Sequence, residues 1–167
     1  MRWVPGFTGL MMAGMLSGAC TEAATPTRPR FEAWGPETPN FNLEVVLRND
    51  AGGFGLVKFR QPNDAEKVIY LDTWVRDLAP NTSYRLQRAV DTNIDGVCTS
   101  TGWLTLGKGL TSEAIVTDET GTGRADLFRS VAAFQVGAQF DIHFRVIDDA
   151  TSTVVLESGC YQFTISL

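Results

Sequence analysis

Phe140-Asp141-Ile142-His143-Phe144-Arg145-Val146 decides the fold. Its four apolar residues fall on every second position and alternate with an acid, an imidazole and a guanidinium. A period of two turns one set of side chains toward a core and the other away from it, the mark of a half-buried strand rather than a helix. The same rule holds elsewhere. Tyr161, Phe163 and Ile165 alternate with Gln162, Thr164 and Ser166. Tyr84, Leu86 and Val90 share one face, with Arg85 and Gln87 opposite, and Ile69, Leu71, Thr73 and Val75 form another row. Turn chemistry separates the rows: Asn49-Asp50-Ala51-Gly52-Gly53, Gln61-Pro62-Asn63-Asp64, Ala79-Pro80-Asn81 and Glu119-Thr120-Gly121-Thr122-Gly123. No stretch carries a convincing helical period. The pattern predicts an all-β domain over residues 41–167, a single antiparallel Greek-key β-sandwich of about eight strands.

The N-terminus reads as an address. Met1-Arg2 brings one positive charge, residues 3–16 are uncharged and largely apolar, and Leu16-Ser17-Gly18-Ala19-Cys20 puts small residues directly before a cysteine. This is the order of a cleaved export signal over residues 1–19. The apolar stretch is shorter than the roughly 20 residues that span a bilayer. The segment resembles the lipobox of bacterial lipoproteins, with Leu16 one place further from the cysteine than the usual pattern has it. The resemblance implies a diacylglycerol on the Cys20 thiol and anchoring in a membrane, and Thr21 after the cysteine implies the outer membrane, facing the periplasm or the surface. The alternative is an ordinary cleaved signal followed by a chance cysteine. Residues 20–40 hold Pro26, Pro29, Pro36 and Pro39, four of the chain's seven prolines, and read as an extended tether.

The net charge is −5, with Lys and Arg scattered and no basic run. Phosphate binding needs concentrated positive charge, so a nucleic-acid partner is excluded. After Cys20 the only cysteines are Cys98 and Cys160. An even pair in an exported chain is read as a disulfide, here joining a loop to the start of the last strand. Two free thiols are the alternative.

Val75-Arg76-Asp77-Leu78-Ala79-Pro80-Asn81-Thr82-Ser83-Tyr84 ends one strand, turns at a proline and sets a tyrosine early in the next. That local pattern resembles fibronectin type III domains, where a corner tyrosine bonds back to the backbone. In larger order the chain resembles the Cu/Zn superoxide dismutase sandwich. An Asp-rich loop (residues 91–96) precedes Cys98-Thr99-Ser100-Thr101-Gly102, Thr117-Asp118-Glu119-Thr120-Gly121 supplies an Asp-x-x-Gly turn, and Cys160 opens the final strand. A fibronectin module would end soon after the corner, whereas 83 residues follow Tyr84. The resemblance implies a shared scaffold without the metals. The family's first metal-binding strand carries His-x-His, the corresponding Tyr84-Arg85-Leu86-Gln87-Arg88 has no histidine, and His143 is the only one in the chain. Copper and zinc prefer N and S ligands, and one imidazole cannot assemble the pair, so superoxide dismutase activity is not expected.

Three features remain as candidate sites. Asp91-Thr92-Asn93-Ile94-Asp95-Gly96 matches the first half of a calcium loop, with Asp91, Asn93 and Asp95 as oxygen ligands at alternate positions. Its twelfth position is Gly102 rather than Glu, and a polar loop bonded to its own backbone explains the same residues. Tyr70 and Trp74 lie on the face opposite Leu71 and Val75, where they form an aromatic strip for a protein or glycan partner if exposed, or pack away if covered. His143 reads as a solvated strand residue. No Gly-x-Ser-x-Gly elbow supports a triad, and Asp126, Asp141, Asp148 and Asp149 read as outward positions and a turn rather than paired catalytic carboxylates. The leading expectation is a lipid-anchored, non-enzymatic binding or structural module with no catalytic residues and no obligatory cofactor. A calcium-dependent adhesion module and a divergent envelope hydrolase are the alternatives.

Overall fold

The computed structural model describes residues 42–62 and 65–166. The expected signal (1–19), Cys20 and the tether (20–40) lie outside the described residues. So do Phe41, Asn63, Asp64 and Leu167.

The described chain is all-β, with no helix. Twelve strands follow in order: β1 (Asn42–Arg48), β2 (Phe54–Arg60), β3 (Val68–Arg76), β4 (Ser83–Asp91), β5 (Leu104–Thr105), β6 (Gly107–Lys108), β7 (Thr111–Ser112), β8 (Ile115–Val116), β9 (Gly123–Ser130), β10 (Gln139–Asp148), β11 (Val154–Ser158) and β12 (Tyr161–Thr164). The longer strands are those the alternation predicts. β5 to β8 have two residues each, too few to show a period, and these raise the count above eight.

The strands belong to one continuous sheet of twelve strands, where about eight were expected. β1 pairs with β2, β2 with β3 and β3 with β9, all antiparallel. On the other side β1 pairs with β11, β11 with β10, and β10 with β4. β8 closes the ring. It pairs with β4 through Ser83↔Val116 and Tyr84↔Ile115, and Thr117, next in the chain, bridges to Gly123 at the start of β9. The result is barrel-like, in the order β1-β2-β3-β9-β8-β4-β10-β11. The connections β3–β4 and β9–β10 each pass over neighbouring strands, the Greek-key move. The sheet is mixed, because β6 meets β9 in parallel at Lys108↔Phe128.

The inward rows fill the barrel. Val45, Leu47, Val57, Leu86, Ile115 and Val146 are wholly buried. Phe59 lies edge-on to Phe163 and Phe144, at ring-centroid distances of 4.6 and 6.2 Å. At one end the corner forms as its pattern predicts: the Tyr84 hydroxyl accepts the Ala79 N–H at 3.1 Å. Buried Thr117 ties the closing strand to this corner, donating Oγ1 to the Ala79 carbonyl at 2.7 Å and accepting the Thr82 N–H at 3.0 Å. Gly121 makes the fit possible. Its φ is +76°, and a β-carbon there would stand 2.2 Å from the Leu78 carbonyl oxygen. Gln61, wholly buried, pairs its side-chain amide with both backbone groups of Ser166 and fastens the end of the chain to β2.

Exposed carboxylates fix the turns. Asp149 accepts two bonds from the Arg85 guanidinium, one from Nη2 at 3.0 Å, and the Arg85 contact holds its carboxyl below the usual range. Asp118, bonded by the Thr120 hydroxyl and the Thr122 and Thr120 amides, is lowered too, as is Asp148 through the Thr151 amide. A carboxylate whose folded pKa lies below its unfolded value, about 3.9, adds stability above that value and loses it as pH falls through the folded pKa. Thermal melts at matched ionic strength should therefore be level from pH 7 to about 5 and decline below about 4. A decline beginning near pH 6 would count against these three groups as its cause.

Candidate functional site

Cys98 and Cys160 form the expected disulfide, with Cα atoms 5.4 Å apart and 62 residues between them in sequence. The bond holds residues 92–103 against the outer face of β4 and β10. Asp141, read from alternation as an outward position, is indeed on the outer row, yet it is wholly buried under that loop. Its Oδ2 accepts the N–H groups of Asp95 at 3.0 Å and Gly96 at 2.7 Å, while Oδ1 is buried without a partner.

The predicted calcium residues Asp91, Asn93 and Asp95 make hydrogen bonds within this loop. Asp91 Oδ2 accepts the N–H groups of Thr99 and Ser100, each at 3.1 Å. Asp95 Oδ1 accepts the Val97 N–H at 2.9 Å, and its Oδ2 accepts from the Asn93 side-chain amide. Among the described residues no three His, Cys, Asp or Glu side chains converge as a metal site. Oxygens already spent on backbone donors fit the self-bonded loop. Melting in EDTA and in millimolar calcium should accordingly coincide. A rise of several degrees in calcium, lost in Asp91→Ala and Asp95→Ala, would establish a site, because a ligand that binds only the folded state stabilises it.

His143 is covered rather than solvated. Its Nε2 donates to the Ser100 carbonyl at 3.1 Å, and its ring lies 4.6 Å from that of Trp103. The Arg145 guanidinium caps the indole at 4.0 Å and donates Nε to Gln87 Oε1 at 2.8 Å, while Gln87 Nε2 donates to the Thr105 hydroxyl. Trp103 thus covers part of the outer face of β4 and β10. The donors there, Arg85 and Gln87 on β4 with His143 and Arg145 on β10, do not fit copper or zinc.

Tyr70 and Trp74 sit on the outward row of β3 and are half-buried. Trp74 meets Phe54 edge-on at 5.8 Å, and Arg76 lies over both rings, at 5.0 Å from Phe54 and 5.8 Å from Trp74. Tyr70 is separated from this cluster by the Arg60–Asp72 ion pair at 2.6 Å. The two aromatics share the outward row of β3, both half-buried.

The feature that sequence reasoning missed is inside the barrel. At the end where β9 passes to β10, a cavity of about 230 Å³ opens to solvent. Phe59, Leu71, Ile142, Phe144, Phe163 and Phe134 wall it with apolar surface. Two arginines share the lining, Arg88 and Arg129. Arg88 continues the inward row of Tyr84 and Leu86 on β4, and Arg129 continues that of Ala125 and Leu127 on β9. Burial, and then the like charge of Arg129, hold Arg88 below the ordinary guanidinium range. The signal was present in the alternation, since the row that joins Tyr84, Leu86 and Val90 also contains residue 88. Over the cavity, residues 131–138 expose Phe134 at 41% and Val136 at 48%.

No family model matches this chain, and no curated protein or solved structure is significantly similar to it.

Proposed function

We propose that this chain is a lipid-anchored, non-enzymatic binding protein of the bacterial cell envelope, and that it binds an apolar ligand in the cavity at the β9–β10 end of the barrel. The cavity carries the reading. Protein interiors are packed like molecular crystals, with few voids larger than a water molecule. A dry cavity of about 150 Å³ takes up benzene. One of about 230 Å³, walled by phenyl rings and open at a barrel end, has the form of a ligand site. The anchor rests on residues 1–20, and in this reading a Cys20→Ser variant should move from the membrane fraction to the soluble one. The non-enzymatic part is supported by His143, whose ring is engaged by Ser100 and Trp103 and has no carboxylate to orient it. In the same reading the barrel is a dismutase-like scaffold without metals, which the place of the Cys98–Cys160 bond supports.

The test is a fluorescence titration of the purified protein with 1-N-phenylnaphthylamine, a neutral bicyclic probe that brightens in apolar surroundings. Saturable brightening, weakened by Ile142→Trp to fill the cavity, is expected. No brightening at micromolar protein would overturn the reading.

A further inference from the structure

Four of the barrel's arginines have carboxylate partners: Arg60 with Asp72, Arg76 with Asp77, Arg85 with Asp149 and Arg124 with Asp126. The two in the cavity do not. Among the described residues neither Arg88 nor Arg129 forms an ion pair. Arg129 donates one N–H to the Gly109 carbonyl at 3.1 Å, and Arg88 has no hydrogen-bond partner. Both occupy inward rows, where an apolar residue would continue the pattern. Two like charges placed together in a half-buried apolar mouth oppose each other and oppose their own desolvation. An anion between them relieves both costs, and a guanidinium fork fits a carboxylate with two parallel bonds.

Resting on the reading of the cavity as a binding site, we infer that its ligand is a single-chain amphiphile with a carboxylate head, the chain against Val90, Phe134 and Phe140 and the head between Arg88 and Arg129. The volume fixes the size class. About 230 Å³ admits one medium-length chain or a small ring system and leaves no room for a two-chain lipid. The charge fixes the head, because a neutral chain would leave both guanidiniums without a counter-charge and a cationic one would add a third like charge.

Displacement of phenylnaphthylamine distinguishes the possibilities. Decanoate, decan-1-ol and decyltrimethylammonium share one chain and differ in head. Decanoate is expected to displace the probe at a concentration at least tenfold below that of decanol, with the ammonium weakest. Arg88→Gln and Arg129→Gln, made singly and together and checked for folding by circular dichroism, should remove that preference while the neutral probe still binds. Equal displacement by decanoate and decanol, or a preference that survives both substitutions, overturns the carboxylate inference and leaves the binding cavity standing. Failure of the neutral probe itself to bind overturns both.

Discussion

A Cys98→Ser/Cys160→Ser variant should be less stable than the parent by about 4 kcal/mol, read as the free energy of unfolding in guanidinium. The 62-residue separation sets that figure on the chain-entropy account, in which the bond acts by restricting the unfolded chain. The native state adds a local consequence. The loop between β4 and β5 is held by the disulfide at Cys98, by Asp91 and Asp141 gripping its amides, and by Trp103 lying between His143 and Arg145. Without the bond the amide contacts and the packing of Trp103 must hold it. Exchange of the Thr99 and Ser100 amides should therefore speed up by more than the global loss of stability requires. A loss below about 1 kcal/mol would show that the unfolded chain keeps this loop closed without the bond.

The second large effect is expected at Phe59. It is 2% exposed, and its ring meets two others edge-on at the centre of the barrel. Truncation to alanine removes the apolar burial and both aromatic pairs, for which large-to-small changes at phenylalanine give about 3–5 kcal/mol. Phe59 also walls the cavity, so the void left behind joins existing open space. The loss belongs at the lower end of that range if solvent or ligand fills the space, and at the upper end if the space stays empty. Phe59→Leu, which keeps most of the volume, should recover more than half of the difference in chemical denaturation.

The strands were legible where they were long and one-sided. β3 follows the alternation residue by residue, and β4 and β10 follow it except at Ala89, Asp141 and Ile147, which are buried off the inward row. The closure was not legible. It depends on Ile115, Val116 and Thr117, and a two-residue strand has no period to read. Nor was the fate of the outer face of β10. Alternation sorts Asp141, His143 and Arg145 away from the core but says nothing of what covers them, and a loop held by a bond 62 residues long is a non-local fact. The cavity arginines were legible in principle, since Arg88 breaks the composition of its row and not its geometry. A charged residue in an apolar row marks the position where the interior stops being filled by the chain alone.

The ring of strands has one more consequence. An open sheet ends in a row of unpaired amides and carbonyls, onto which another chain can add a strand. Here β1 pairs along its length with β2 and at Leu47 and Arg48 with β11, and the run from β9 through Thr117 and β8 to β4 joins the remaining borders at a few positions, which shortens the stretches left uncovered. Proteins gathered on a bilayer surface meet one another at high local concentration, where such borders template aggregation. Were this domain gathered on a membrane, as proposed, its shortened borders would leave fewer places for a neighbour's strand to add.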